Sequence, residues 1–145
     1  MKALIQRVKN ASVTIDGKLF SSIEGGLLVF LGVEKGDTNE NADKLAQKLV
    51  NLRIFEDENE KMNLSLSDVK GQMLVVSQFT LCGDCKKGTR PSFDSAELPQ
   101  RANELYEYFV SEIKKLGVDT KTGKFAAMMD VALINDGPVT FMVEK

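Results

Sequence analysis

Residues 77–81, with the sequence SQFTL, form a short polar segment that follows an apolar run and carries groups able to act on a ligand. Ser77, Gln78 and Thr80 supply hydroxyl and amide groups, and Phe79 supplies an apolar wall. Thr80 is a candidate nucleophile, although a threonine hydroxyl is weak without an activating base. Main-chain N–H groups are the alternative, because an oxyanion hole needs donors and no titrating side chain. The pattern is also compatible with an ordinary strand end followed by a Ser/Thr turn.

The absence of histidine limits the chemistry that these residues can perform. The chain contains no histidine, which excludes Ser-His-Asp and Cys-His catalysis and every zinc site that needs a histidine ligand. Cys82 and Cys85 have the C-x-x-C spacing of half a zinc site or of a redox pair. No second cysteine pair is present to complete a four-cysteine shell. We therefore predict reduced thiols, no metal and no cofactor.

A second polar segment, NDGPVT at residues 135–140, lies between two apolar runs. Asp136 followed by Gly137 is typical of a hairpin turn, since glycine reaches positive φ without a steric clash. Pro138 has no N–H for a sheet, so it belongs at a strand end, at an edge or at a bulge. The segment is either a tight turn that closes a hairpin or a rigid tip that presents its main chain for recognition.

Length and composition indicate one globular domain, residues 1–145. Apolar residues make up 43% of the chain and charged residues 28%, and the net charge is −2. Such a chain has no overall basic field that would attract nucleic acid, so a nucleic acid would need a local patch. No apolar run approaches the roughly 18 residues of a membrane span. Gln6 and Arg7 come too early for a signal peptide, and we predict a cytoplasmic protein.

Hydrophobic periodicity predicts the elements that must position the two polar segments. Two amphipathic helices are predicted, one from Thr38 to about Leu52 and one from Pro99 to Leu116, with Gly117 ending the second. The predicted fold class is α+β, with a mostly antiparallel, barrel-like sheet and two helices packed on it in a single domain. Strands are predicted at residues 3–8, 11–15, 18–23, 27–33, 52–55, 72–79, 125–134 and 139–143.

Taken together, the two polar segments resemble the D-aminoacyl-tRNA deacylase family, also called D-tyrosyl-tRNA deacylase. The similarity extends over nearly the whole chain, and its motifs follow one another in the same order. Glu60 and Ala126 depart from the pattern, since glycine is usual at both positions. The further motifs are QRV at 6–8, GLL at 26–28, LGV at 31–33, LRIF at 52–55, KMN at 61–63, KGTRPSF at 87–93 and TGKF at 122–125.

The resemblance implies an enzyme that hydrolyses the ester bond of D-aminoacyl-tRNA, held by its 3′-terminal adenosine, and that rejects L-aminoacyl-tRNA. It also implies a homodimer in which the Gly137–Pro138 tip, with a cis peptide bond, enters the pocket of the partner chain. Thr80 would be either a nucleophile or a positioning residue in a reaction assisted by the 2′-hydroxyl of the adenosine, and the absence of histidine favours the second. Glycine mischarged on tRNA-Ala is left open as a substrate. The expected site residues are Ser77, Gln78, Phe79 and Thr80 on the pocket floor, Met129 beside the substrate and Arg7 as a brace for the tip.

A protein of a different class, a non-catalytic RNA-binding module, is the main alternative. Lys86, Lys87 and Arg90 lie in a long polar loop, residues 82–97, and are the candidate contacts to tRNA phosphate in either case. They are few and the whole chain is acidic, so on their own they predict weak binding. A zinc or redox protein built on the cysteine pair is a third hypothesis.

Overall fold

The computed structural model describes residues 1–145 and consists of eight strands, two α-helices and one short 3-10 turn at Phe79–Cys82. In chain order the elements are β1 (Lys2–Ile15), β2 (Lys18–Ile23), β3 (Gly26–Gly32), α1 (Asn39–Asn51), β4 (Phe55–Glu56), β5 (Met62–Leu64), β6 (Gln72–Ser77), α2 (Pro99–Lys115), β7 (Thr120–Thr122) and β8 (Asp130–Glu144).

Strand β1 runs through the middle of the main sheet. Its first half pairs with β3 and its second half with β2, while β8 follows nearly its whole length on the other side, all antiparallel. Beyond β3 the order continues with β6 and β7, and these two pairings are parallel. Ser21 Oγ on β2 donates to Thr122 O on β7 at 2.7 Å, which brings distant strands together into a nearly closed, barrel-like sheet. The predicted α+β class and barrel-like sheet are confirmed.

The strand alternation divides the apolar residues between two cores. On β3, Leu27 and Val29 face the helices, whereas Leu28 faces the interior of the curved sheet. Strand β6 repeats this arrangement, with Val75 facing the helices and Val76 the interior. Both strands are therefore buried on both faces, which explains why their sequences are continuous apolar runs.

Both helices pack on one face of the sheet, and their boundaries agree with the sequence prediction. Helix α1 begins after Thr38, whose N–H donates to Asn41 Oδ1 at 2.9 Å. Helix α2 has Pro99 in its first turn, and Gly117, with a φ of 85°, follows its C-cap residue Leu116. Neither helix has the length and hydrophobicity needed to cross a membrane.

Of the two alternatives for residues 135–140, the tight hairpin turn is wrong. Strand β8 is continuous through this segment and pairs with β1 on both sides of it, Asn135 opposite Val8 and Thr140 opposite Gln6. One residue of β1 therefore faces four residues of β8, and the extra residues bulge out of the sheet. An Asp-Gly pair between apolar runs suits a bulge as well as a turn, and only the partner strand distinguishes the two.

Smaller corrections concern element boundaries. Strand β1 is one element rather than the two predicted, and the strand predicted at 52–55 is β4, shifted to Phe55–Glu56. Strand β6 ends at Ser77 instead of residue 79, because the chain turns into the 3-10 turn. The turn between β1 and β2 is as predicted, with positive φ at Asp16 and Gly17.

Replacing Phe109 by alanine tests the core beneath the helices. Phe109 on α2 is fully buried in the larger core, so Phe109→Ala should lower the free energy of unfolding by about 3–5 kcal/mol. Leu98→Ala is the matched control, because Leu98 is 68% exposed and its loss should change stability by less than about 0.5 kcal/mol. Urea denaturation gives both values, and equal effects would contradict the packing described.

Candidate functional site

A largely apolar cavity of about 680 Å³ opens at the C-terminal end of β6. Ser77 and Gln78 form its polar edge, with the apolar Phe79 next to them, and the chain reaches all three directly from the buried strand. The opposite walls come from the start of α2 and from the turn that precedes β8. A concave, mainly apolar cavity with a few converging polar groups is the usual form of a small-molecule site.

The strand end that carries these residues is held rigidly. The Gln78 N–H donates to Leu31 O at 2.8 Å, which extends the parallel pairing with β3 one residue beyond β6. The 3-10 turn that follows is anchored by Cys82, whose Sγ lies 3.5 Å from Val33 O in the buried interior. Ser95 Oγ donates to Cys82 O at 2.6 Å and ties the long loop to the same turn. The polar edge therefore has little freedom to move.

Thr80 lies beside the cavity and does not line it. Its side chain is exposed, and its Oγ1 accepts a hydrogen bond from Gln78 Nε2. No histidine exists in the chain to remove its proton. The N–H groups of Phe79 and Thr80 open the 3-10 turn, and neither donates to another main-chain group. These two donors are available to an oxygen that enters the site.

Aromatic and thioether side chains form the walls of the cavity. The rings of Phe79 and Phe93 lie 5.0 Å apart between centroids, in a tilted arrangement. Phe125 packs against the ring of Tyr106 at 6.0 Å, and the Tyr106 hydroxyl donates to Val75 O at 2.8 Å. Burial raises the pKa of Tyr106, so its hydroxyl stays protonated as a donor. Met129 lines the same wall.

Glu97 is the one charged residue that lines the cavity. Its Oε1 accepts the N–H of Leu98 at 2.7 Å, immediately before α2. No sequence pattern indicated that Glu97, Ala102 or Phe125 would be site residues. They belong to segments far from residues 77–80 in the chain, and only Phe125 carried a signal, as part of the TGKF motif.

The bulge of β8 presents Gly137 and Pro138 to solvent, and their peptide bond is cis, as expected. Arg7 holds the base of this bulge, although its own side chain is buried. Its Nε donates to Asp136 O at 3.1 Å and lies 3.0 Å from Asp136 Oδ2. Asn135 Nδ2 donates back to Arg7 O at 3.0 Å. Neither Arg7 nor the tip lines the cavity of its own chain.

The remaining candidates lie outside the cavity. Lys86, Lys87 and Arg90 are exposed on the loop beyond the 3-10 turn. Cys82 and Cys85 are both free thiols in different surroundings, one buried and one exposed. Burial raises the pKa of the Cys82 thiol and so disfavours the reactive thiolate. Nowhere do three His, Cys, Asp or Glu side chains cluster as potential metal ligands.

Comparison with known proteins gives one consistent result. The family model described as D-Tyr-tRNA(Tyr) deacylase matches residues 4–144. A D-aminoacyl-tRNA deacylase of Geotalea daltonii is 62% identical, over 99% of this chain and 96% of its own. That of Bacillus cytotoxicus is 55% identical, over 100% of this chain and 99% of its own.

Solved structures have the same fold. One described as c-Myc DNA Unwinding Element Binding Protein has a TM-score of 0.94 and 40% identity, and it covers 100% of this chain and 99% of its own. A probable eukaryotic D-amino acid tRNA deacylase has a TM-score of 0.86 and covers 99% of this chain and 98% of its own. Its identity is 17%, so it bears on the fold alone.

Proposed function

Because the chain belongs to the D-aminoacyl-tRNA deacylase family and hydrolyses D-aminoacyl-tRNA, we propose that the cavity at the end of β6 receives the aminoacylated 3′-terminal adenosine of that substrate. One observation supports the proposal: the main-chain N–H groups of Phe79, which lines the largely apolar cavity, and of Thr80, directly beside it, have no main-chain acceptor. This combination suits an ester whose carbonyl oxygen gains negative charge during hydrolysis. Enzymatic ester hydrolysis replaces the earlier alternative of a non-catalytic RNA-binding module.

In the proposed reaction the ester carbonyl oxygen faces the N–H groups of Phe79 and Thr80. Water adds to the carbonyl carbon, and the two donors stabilise the tetrahedral oxyanion. Collapse of this intermediate breaks the ester bond and releases the free D-amino acid and the ribose hydroxyl of tRNA. The 2′-hydroxyl of the adenosine assists the proton transfer, since the chain has no histidine. Thr80, whose hydroxyl accepts a hydrogen bond from Gln78, positions the substrate.

Chiral selection is assigned to the tip at Gly137 and Pro138, entering the cavity of a second copy of the chain. Its carbonyl oxygens accept hydrogen bonds from the α-amino group of the substrate, and an L side chain then clashes with the tip. The tip is exposed, does not line its own chain's cavity and is held from beneath by Arg7. A rigid projection of this kind suits insertion into a partner.

The same strand carries exposed apolar side chains that the proposed homodimer would cover. Ile134, Phe141 and Met142 flank the tip on β8 and are 53%, 42% and 49% exposed. Strand β8 is also an edge strand, which natural proteins usually cover or protect. A symmetric dimer would cover this edge and complete two equivalent sites.

The tRNA body is proposed to contact Lys86, Lys87 and Arg90, whose exposed loop continues directly from the site. The acidic net charge of −2 requires that such contacts be local. Glycine has no side chain to clash with the tip, so glycine mischarged on tRNA-Ala is included among the proposed substrates. Because aminoacyl-tRNA is made and used in the cytoplasm, we place the enzyme there.

Parallel turnover of D-Tyr-tRNA and L-Tyr-tRNA tests the proposed selectivity. We expect the purified protein to hydrolyse the D-ester at least about 100-fold faster than the L-ester, which should decay at the rate seen without enzyme. Release of free tyrosine from radiolabelled substrate measures both rates. Equal rates for the two esters would contradict a chiral filter, and no turnover of either would contradict the site.

The role of Thr80 is tested by one change in the enzyme and one change in the substrate. Thr80→Ala should keep kcat within about tenfold of the parent, since a positioning residue contributes less than a nucleophile. A substrate ending in 2′-deoxyadenosine, aminoacylated on its 3′-hydroxyl, should be hydrolysed far more slowly. A folded Thr80→Ala protein that binds substrate but loses several orders of magnitude in kcat would instead identify Thr80 as the nucleophile.

Mixed dimers test whether the tip acts on the partner chain. Gly137→Leu places a bulky side chain on the tip, and Ala102→Phe fills the cavity from α2, so each variant alone should be inactive. When equal amounts of the two variants are refolded together, half of the dimers contain one chain of each variant. In each such heterodimer, one of the two sites has an intact cavity and an intact tip. Activity should then return to about a quarter of the parent value. An active monomer in light scattering, or no recovery from two folded variants, would argue against a shared site.

A further inference from the structure

Gly123 occupies a position where a side chain would collide with the cavity wall. It follows β7, is buried, and its N–H donates to Val75 O at 3.0 Å, so its position beside β6 is fixed. A Cβ at this residue would lie 2.7 Å from Met129 Sδ, 3.5 Å from Met129 Cε and 3.6 Å from Val76 Cγ1. Gly123 does not have positive φ, so glycine is required here for space rather than for backbone conformation.

The thioether of Met129 uses the space that the missing side chain leaves. The N–H of Lys124 donates to Met129 Sδ at 3.4 Å, so the sulfur rests on the main chain of residues 123 and 124. Val76, fully buried, closes the wall behind it. Met129 itself lines the cavity, and the cavity is the open side toward which its flexible side chain can move.

We propose that Gly123 is a positioning residue that keeps the substrate cavity open by seating Met129 against the wall. The inference rests on the proposed binding of the aminoacylated adenosine in this cavity. With alanine at position 123, the new methyl group occupies the place of the Met129 sulfur, and the Met129 side chain rotates into the cavity. The volume available to the substrate falls, while the fold is kept because the displaced atoms are the far end of a flexible side chain.

Four variants of the full chain test this inference: Gly123→Ala, Met129→Ala, the double variant, and Gly25→Ala. Gly25→Ala is the matched control, since a Cβ there meets only Val8 O at 4.0 Å and the residue does not have positive φ. Gly123→Ala should lower kcat/KM for D-Tyr-tRNA by at least about tenfold, mainly through a higher KM. The double variant should return to the level of Met129→Ala, because removing the displaced side chain removes the obstruction.

A spectroscopic measurement follows the methionine itself. The chain contains six methionines, whose methyl groups can be labelled with ¹³C and observed by NMR. The Met129 signal is identified as the one that is missing from the spectrum of Met129→Ala. In Gly123→Ala this signal should shift more than those of buried Met73 and exposed Met62, while Gly25→Ala leaves it in place. An unchanged Met129 signal, or a double variant no more active than Gly123→Ala, overturns the inference.

Two further variants separate this inference from the proposed function. Ala102→Phe fills the same cavity from α2. If Ala102→Phe abolishes turnover while Gly123→Ala does not lower it, the inference about Gly123 fails and the substrate still belongs to this cavity. If Ala102→Phe keeps full turnover, the assignment of the substrate to this cavity fails. Met129→Phe fills the cavity while Gly123 is kept as glycine, and it should lose activity in the same way. A Gly123→Ala protein that fails to fold, and that Met129→Ala does not repair, also overturns the inference.

Discussion

A buried guanidinium must find acceptors for its donors, and this requirement joins three distant parts of the chain. Arg7 lies in the central strand β1 with only 4% of its surface exposed. Its Nη1 donates to Ile54 O at 2.7 Å, its Nε to Asp136 O, and its Nη2 lies 3.3 Å from Glu56 Oε1. The bulge in β8 frees one main-chain acceptor, Asp136 O, for Arg7; in a regular strand this oxygen would pair with the neighbouring strand. The tip at Gly137 and Pro138 therefore projects from a base fixed by the interior of the protein.

The other half of the proposed site depends on main-chain pairing rather than on a charge. Strand β6 is buried on both faces, and the pairing with β3 continues to Gln78 before the chain enters the 3-10 turn. The free N–H groups of Phe79 and Thr80 thus point from a rigid support. Main-chain N–H groups do not lose their proton in the ordinary pH range, so they remain hydrogen-bond donors throughout it. A chain without histidine can in this way still stabilise an oxyanion.

The two halves do not meet within one chain, and this separation gives the proposed dimer its physical logic. The cavity lacks the tip, and the tip is exposed beside Ile134 and Phe141. In the proposed chiral selection, main-chain carbonyls of the tip recognise the α-amino group and the direction of the side chain, whatever the chemical nature of that side chain. The cavity wall then needs only the right volume, which the seating of Met129 on Gly123 helps to define.

Features that depend on local chemistry and periodicity could be predicted from the amino-acid sequence. The helix at Asn39–Asn51 follows from its apolar spacing, and the Asp16–Gly17 turn from the conformational freedom of its residues. Features that depend on partners distant in the chain became clear only in the folded protein. The segment around Gly137 is a bulge and not a hairpin because β1 pairs with β8 on both sides of it. Likewise Glu97, Ala102 and Phe125 join Ser77 around one cavity only because α2 and the turn before β8 pack beside the end of β6, a contact that no local pattern encodes.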